Sequence, residues 1–232
     1  MNAEDGLDLL GRRGWLASTP ADFREAMLAR SQWRRYGPGD PLTQGGKEAD
    51  ADVFGLAHGV LEMTTVFGAP DTPLTHLARP VYWFGYGPIL SGKPRRASII
   101  ARSEVWLAQV SQRAIRELLA AHPQWWREFA TIALEYGDLA ANVAADLLIR
   151  NSERRCAAVL LRLGGCRFED PADGEPRSTP LTQDELAAMA NLSRNSAGTI
   201  LRGLAGRGLI DLQYGSVSVR APAALRVLVD GS

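Results

Sequence analysis

The sequence predicts an α+β protein in which a β-rich N-terminal half precedes a long helix and a smaller helical domain with a β-hairpin. Three observations carry this prediction. Short apolar runs broken by Gly and Pro fill about residues 36–110, apolar residues then recur at helical spacing to about residue 150, and two amphipathic segments precede an alternating ribbon. We place an N-terminal domain at 1–122, a dimerisation helix at 123–150 and a C-terminal domain at 151–232.

The composition is that of a globular protein and argues against several other classes of protein. The 232 residues are 46% hydrophobic and 22% charged, which is typical of a soluble globular protein. The formal net charge is zero, so any contact with nucleic acid must be local and specific rather than that of a basic coat protein. Cys156 and Cys166 form neither a disulfide framework nor a zinc set. The sequence has no apolar signal core and no stretch of membrane length, so we expect a cytoplasmic protein with no membrane contact. We also expect no metal and no cofactor.

The N-terminal domain is predicted to begin with helix and to continue as strands. Pro20 and Phe23 open an amphipathic segment that we extend to about Arg35. From Tyr36 onward, Gly and Pro separate short apolar runs, a pattern that favours an all-β sandwich or small barrel.

The long helix is predicted to carry a seam for a second copy of the chain. Five residues are spaced 3-4-3-4, as in a heptad repeat: Phe129, Ile132, Tyr136, Leu139 and Val143. We assign these to the dimer interface and expect the remaining apolar residues to pack on the β domain, namely Trp125, Trp126, Leu134 and Leu147. The alternative is a monomer whose helix lies on the β domain. The pattern breaks at Asn151, which is the predicted boundary and hinge.

Residues 181–208 are predicted to form two helices joined by a short turn. Thr182 and Glu185 can form a capping box for the first helix, and Ser193 is a candidate N-cap for the second. Asn191 between them tolerates the left-handed conformation of a tight turn. Two helices joined so closely cross, as in a helix-turn-helix. The alternation after Gly208 predicts a hairpin wing.

The second helix has a buried face and a free face, and the free face has the chemistry of a DNA reader. The free face carries Arg194, Asn195, Gly198, Thr199 and Arg202. Arg can donate to guanine, Asn can pair with adenine, and Thr can bond a base or meet a thymine methyl group. The alternative is a helical hairpin with a solvated face. The predicted DNA-binding residues are Thr182, Ser193, Arg194, Asn195, Ser196, Thr199 and Arg202.

The order of β domain, long helix, hinge and winged helix-turn-helix resembles the Crp–Fnr family of bacterial transcription regulators. The segments LLIRNSERRCAAVLLRL and LSRNSAGTILRGL are similar to the family's linker and recognition helices. In the family, Ser-Arg is followed by a base-reading residue that is often Glu. Asn195 takes that position here, and Thr199 stands where Arg is common. The resemblance implies a homodimer on a palindromic double-stranded operator, with RNA polymerase as a further partner and a cyclic-nucleotide-binding-like β-roll.

The residues that bind the effector depart from the pattern that the resemblance implies. Members that bind cyclic AMP carry Phe-Gly-Glu, whose carboxylate binds the ribose hydroxyl, and an Arg–Ser pair that holds the cyclic phosphate. Here the motif reads Phe84, Gly85, Tyr86, and Arg95 and Arg96 lie near the phosphate position without restoring the pair. We therefore expect a degenerate effector domain that does not bind cyclic AMP tightly and that has an unknown small-molecule effector.

Three alternatives stay open. A constitutive or architectural regulator would use the β domain only as a dimerisation scaffold. A haem sensor would take a ligand from His58, His76 or His122, although a lone His is more often an ordinary surface or core residue. A cupin-type enzyme would need clustered His and carboxylates, and the sequence shows no such cluster, so we expect no catalytic residues.

Overall fold

A computed structural model describes residues 2–46, 52–65, 74–168 and 178–231. The chain divides into two compact units, 1–137 and 138–232. This division falls inside a continuous helix, Trp126–Leu148, and so precedes the predicted hinge at Asn151.

The first unit opens with two helices, α1 (Ala3–Arg12) and α2 (Ala21–Ala29), with a 3₁₀ turn at Trp15–Ser18 between them. The strand β1 (Gln32–Tyr36) follows at once and pairs along its whole length with a later strand. The prediction of helix to Arg35 is therefore wrong for its last residues, because backbone pairing with a distant strand overrides the local pattern.

Further strands complete two antiparallel sheets among the described residues of this unit. They are β2 (Pro41–Thr43), β3 (Val53–His58), β4 (Leu61–Thr65), β5 (Leu74–Ala78), β6 (Tyr82–Phe84), β7 (Ala97–Ala101) and β8 (Val105–Val110). One sheet has the order β1-β8-β3-β6, the other β2-β7-β4-β5, and a short helix, α3 (Gly87–Ser91), joins β6 to β7. The architecture confirms the predicted β domain and identifies it as a β-roll.

Helices close one face of this unit with a cluster of aromatic rings. Helix α4 (Gln112–Ala121) and a 3₁₀ turn at Pro123–Trp125 lead into α5 (Trp126–Leu148). The rings of Phe23 and Phe129 meet edge to face at 5.7 Å, and Trp15 lies 5.7 Å from both Phe129 and Trp83. The indole N–H of Trp15 donates to the carbonyl of Glu128 at 3.0 Å. The first turns of α5 are therefore part of the core of their own unit.

The predicted dimer seam has a heptad spacing, but its first residues lie on the inner face of α5. Phe129 and Ile132 are 1% and 0% exposed within their own chain, and the Tyr136 hydroxyl donates to the carbonyl of Trp83 at 2.7 Å. The assignment of Phe129 and Ile132 to a dimer interface is wrong, because buried side chains have no surface left for a partner. Leu139 and Val143 are half-buried, and their role in dimerisation stays a prediction.

Of the apolar residues expected to pack on the β domain, one is buried and the others are exposed. Trp125 is buried as expected. Leu134 is 71% exposed, so the expectation that it packs on the β domain is wrong, and Trp126 and Leu147 are also exposed. Successive residues of a helix are rotated by about 100°, so Leu134 lies roughly opposite Ile132 and Tyr136.

The second unit, where the structure describes it, consists of helices and a small sheet. The elements are α6 (Ser152–Leu163), β9 (Ser178–Pro180), α7 (Gln183–Met189), α8 (Arg194–Gly206), β10 (Ile210–Gln213), β11 (Ser216–Val219) and α9 (Pro222–Asp230). The sheet has the order β10-β11-β9. The predicted helix pair and hairpin are confirmed, whereas β9 and α9 were not predicted. A three-residue strand is too short to show a period of two.

A buried ion cluster joins the last turns of α5 to α6. Asp146 is 3% exposed, and its two carboxylate oxygens lie 3.4 Å from Nε of Arg162 and 3.2 Å from Nε of Arg167.

At the start of α6 the side chain of Asn151 accepts from the Arg154 N–H at 3.0 Å. This N-cap is the predicted break after the long helix.

Candidate nucleic-acid interface and effector pocket

Two local capping devices fix the ends of the helix-turn-helix. Thr182 Oγ1 accepts from the Glu185 N–H at 3.2 Å, and the Glu185 carboxylate accepts from the Thr182 N–H at 2.7 Å. Asn191 has φ of 50°, and Ser193 Oγ accepts from the Ser196 N–H at 3.2 Å. The capping box, the left-handed turn and the second cap are all as predicted from the sequence.

The buried face of α8 is also as predicted, with one exception on the opposite face. Ala197, Leu201 and Leu204 are at most 1% exposed. Gly198, expected on the free face, is buried instead. A Cβ at this position would lie 3.1 Å from Oε1 of Gln183, so the glycine allows α7 and α8 to approach closely. Gly198 is therefore a packing residue of the helix pair.

Besides Ser196, four polar side chains remain exposed along α8: Arg194, Asn195, Thr199 and Arg202. Nε of Arg194 lies 3.3 Å from the Asp184 carboxylate, and both side chains are more than half exposed. Arg202 donates to the Thr199 hydroxyl at 3.2 Å. An exposed ion pair contributes at most about 1 kcal/mol, so Arg194 can exchange Asp184 for a phosphate or base at little cost. We call these four residues the reading edge.

A side chain that the sequence did not single out holds the turn of this motif. The guanidinium of Arg155, on α6, donates to the carbonyls of Ala190 at 2.6 Å and of Asn191 at 3.3 Å, and to that of Ile149 at 2.6 Å. It thereby links the turn between α7 and α8 to the residue after the long helix. Its partners are up to 36 residues away in the chain, so no local sequence pattern could identify it.

The predicted wing is a regular hairpin. Ile210 pairs with Val219 and Gln213 with Ser216, in antiparallel register. Gly215 has φ of 69°, which suits the tight connection. The adjoining Tyr214 side chain is fully exposed, so the hairpin presents an aromatic ring to solvent at its tip.

All five residues predicted at the effector site line one cavity of the first unit. The cavity has a volume of about 380 Å³, and its lining includes Phe84, Gly85, Tyr86, Arg95 and Arg96. Gly85 has φ of 98°, and a Cβ there would lie 2.1 Å from the Asp52 carbonyl oxygen. Only glycine is compatible with this backbone.

Tyrosine rings and a buried arginine determine the chemistry of this cavity. Tyr82 and Tyr136 stack with ring centroids 4.7 Å apart, and Tyr86 lies 5.9 Å from Tyr136. Burial raises the pKa of Tyr86 to about 12 and also raises the pKa values of Tyr82 and Tyr136, so all three are neutral near pH 7. Arg95 is 6% exposed and donates to the Asp52 carbonyl at 3.1 Å. Tyr82 and Tyr136 were not predicted to line this cavity.

The two cysteines offer no reactive site. Cys156 and Cys166 are both buried, and each carries a thiol. Burial raises the pKa of the Cys156 thiol to about 12, so the nucleophilic thiolate is scarce at neutral pH.

Within the described ranges, no three His, Cys, Asp or Glu side chains are grouped to hold a metal ion. No helix in the same ranges is long and apolar enough to cross a membrane.

Comparison with known proteins agrees with this architecture. Residues 33–122 match the cyclic nucleotide-binding domain model, and residues 154–228 match the Crp-like helix-turn-helix domain model. The chain is 30% identical over 154 residues to the CRP-like cAMP-activated global transcriptional regulator of Mycobacterium tuberculosis, and the match covers 65% of this chain and 68% of that protein.

Two solved structures share the fold. The structure of FixK2 from Bradyrhizobium japonicum has a TM-score of 0.69 at 15% identity and covers 85% of this chain and 96% of that one. A CRP-family transcriptional regulator from Thermus thermophilus has a TM-score of 0.63 at 21% identity and covers 86% of this chain and 97% of that one. The sequence relative and the two domain models place this chain in the Crp–Fnr family of DNA-binding transcription regulators.

Proposed function

We propose that the chain acts in the cytoplasm as a homodimer that binds a palindromic operator through α8 and responds to a small molecule other than cyclic AMP. The observation that carries the proposal is the reading edge of α8, exposed at the end of a capped helix-turn-helix and followed by a wing. Helices of this kind enter the major groove with their N-terminal residues on the base edges. RNA polymerase is the proposed further partner, by analogy with the family.

Dimerisation is proposed through the outer face of α5. An exposed apolar stripe runs along the helix with a 4-3-4-3-4 spacing: Ala130, Leu134, Gly137, Ala141, Ala144 and Leu148. Leu134 and Leu148 are 71% and 80% exposed. Such a heptad stripe is the pattern of a coiled-coil seam, and its small residues would let two helices approach closely. We call these six residues the outer stripe and propose them in place of Phe129 and Ile132.

The proposed change of effector rests on Tyr86. In relatives that bind cyclic AMP, a carboxylate occupies this position of the motif, and a charged acceptor binds a hydroxyl more strongly than a neutral one. With a pKa of about 12, the Tyr86 hydroxyl supplies no such charge at neutral pH. A nucleotide ribose would therefore lose its strongest partner in this cavity.

A regulator that needs no effector is the second candidate. Arg95 supports it, because this arginine donates to the Asp52 carbonyl within its own domain and so already has a structural role. Gel-shift titration of ligand-free protein on an operator selected from random DNA separates the two candidates. Ligand-free binding at nanomolar protein that no metabolite extract alters supports the second. Binding that an extract strengthens or weakens supports an effector, and no binding in either condition contradicts both.

A further inference from the structure

The polar groups on the reading edge differ in whether they already have partners. Arg194 is ion-paired with Asp184, and the Thr199 hydroxyl accepts from Arg202. The adjacent hydroxyls of Ser193 and Ser196 lie 2.9 Å apart and bond each other. In the described parts of the chain, no hydrogen bond is found for the amide of Asn195. An exposed amide in the first turn of α8 is therefore available to a ligand without breaking an internal contact.

The amide also has a more selective chemistry than its neighbours. An Asn side chain presents one acceptor and an NH₂ donor side by side. In the major groove this pair matches the N6 donor and N7 acceptor of adenine, so that two hydrogen bonds form at once. Guanine offers two acceptors there, and cytosine a single donor, so neither base satisfies both ends of the amide.

The position of Asn195 gives this chemistry access to a base. Ser193 caps α8, so Asn195 is the second residue of the helix, and its side chain is exposed. A short side chain reaches a base edge only from the helix end that enters the groove, which is the N-terminal end in a helix-turn-helix. Arg202, two turns later, has the length for a phosphate but lies further from that end.

We propose that Asn195 determines operator specificity and that each half-site has adenine at the base that Asn195 meets. The proposal rests on the proposed function, because it assumes that α8 occupies the major groove. It also implies that a relative with Glu at this position reads a different base, since a carboxylate can accept from cytosine N4 but cannot donate to adenine N7.

The test is selection of bound DNA from a random library by the full-length protein and by three variants. Asn195→Glu keeps a polar side chain and removes the donor, and Asn195→Ala removes both groups. Gly203→Ala is the matched control, because it changes an exposed residue of α8 where an added Cβ meets nothing within 4 Å. Circular dichroism of each variant confirms that the fold is retained.

We expect the wild type and Gly203→Ala to enrich the same dyad, with adenine at one symmetric position in each half-site. Asn195→Glu should change that position to cytosine and leave the other positions unchanged, and Asn195→Ala should make it degenerate. For the wild type, replacing the adenine pair in both half-sites should weaken binding by about 5- to 150-fold per half-site.

An enriched dyad that stays the same in both Asn195 variants would overturn this inference and leave the proposed function standing. So would a dyad whose only responding position is not adenine in the wild type. If the wild-type protein enriches no sequence, both the inference and the proposed function are contradicted.

Discussion

Arg194 is the residue of the reading edge whose role is simplest to test. Its ion-pair partner, Asp184, is itself 62% exposed, so the pair stabilises the free protein little. We expect Arg194→Ala to weaken operator binding by about 1–3 kcal/mol, the range for a lost bidentate base contact. A gel shift at fixed salt measures this. Arg113→Ala is the control, since that side chain is also exposed but lies in the first unit. Equal affinity of both variants and the wild type would remove Arg194 from the interface.

The capping box leads to a prediction about stability. Thr182→Ala deletes the side chain that accepts from the Glu185 N–H, and we expect it to lower the free energy of unfolding by about 0.5–2 kcal/mol. Urea denaturation followed by circular dichroism measures the loss. The control is Thr199→Ala, which removes a hydroxyl whose partner is the exposed Arg202. A smaller loss for Thr182→Ala than for this control would contradict the capping role.

The structural role of a residue could be predicted from the sequence where its hydrogen-bond partner is close to it along the chain. Thr182, Asn191 and Ser193 act within three residues of themselves, and their roles followed from residue type alone. Arg155 acts on carbonyls on both sides of it, up to 36 residues away. Tyr82 and Tyr136 meet through the folding of a strand against a helix, which residue type does not encode.

At the scale of elements, the long helix shows what a periodic pattern leaves undetermined. A spacing of 3-4-3-4 identifies a face but does not say what covers it. On α5, one heptad face carries Phe129 and Ile132, which complete the aromatic core, and the roughly opposite face carries the small residues and leucines of the outer stripe. From the sequence, the face with bulky aromatic residues was predicted to be the dimer seam, because small residues such as Ala and Gly contribute little to an apolar pattern.

The outer stripe can be tested with one charge. Leu134→Glu places a carboxylate in the proposed seam, and we expect the protein to sediment as a monomer at micromolar concentration, because two such charges would face each other across the dimer axis. The control is Ala140→Glu, an exposed position about 120° away around the helix. Analytical ultracentrifugation distinguishes the states. A Leu134→Glu variant that remains dimeric would exclude the outer stripe as the interface.

At the scale of the whole molecule, the helix-turn-helix and the β domain were predictable from the sequence. The short strand β9 and the last helix, α9, were not. The Gly and Pro turns between apolar runs predicted an all-β sandwich or small barrel, and only the family resemblance implied a β-roll. Strand β9 pairs three residues with β11, and α9 begins at Pro222 with no N-cap side chain, so neither has a strong local pattern. The five residues named from the family motif line one cavity of the first unit, and that this cavity binds an effector stays a prediction.

The same cavity gives a prediction for ligand binding. With Tyr86 in place of a carboxylate, we expect isothermal titration of cyclic AMP to show no micromolar affinity between about pH 6 and 8, because the Tyr86 hydroxyl stays neutral below its pKa of about 12. A Tyr86→Glu variant should bind more tightly than the wild type if the missing charge is the cause. Micromolar binding by the wild type, with an ordered change in operator affinity, would contradict the proposed loss of this effector.

We propose that two copies of the chain read two half-sites of one operator. The most direct measurement is the sedimentation equilibrium of the protein bound to DNA that it has selected from a random library. We expect two chains per duplex and an enriched dyad whose half-site centres are about 10 base pairs, or one helical turn, apart. One chain per duplex, or an enriched sequence without a dyad, would contradict it.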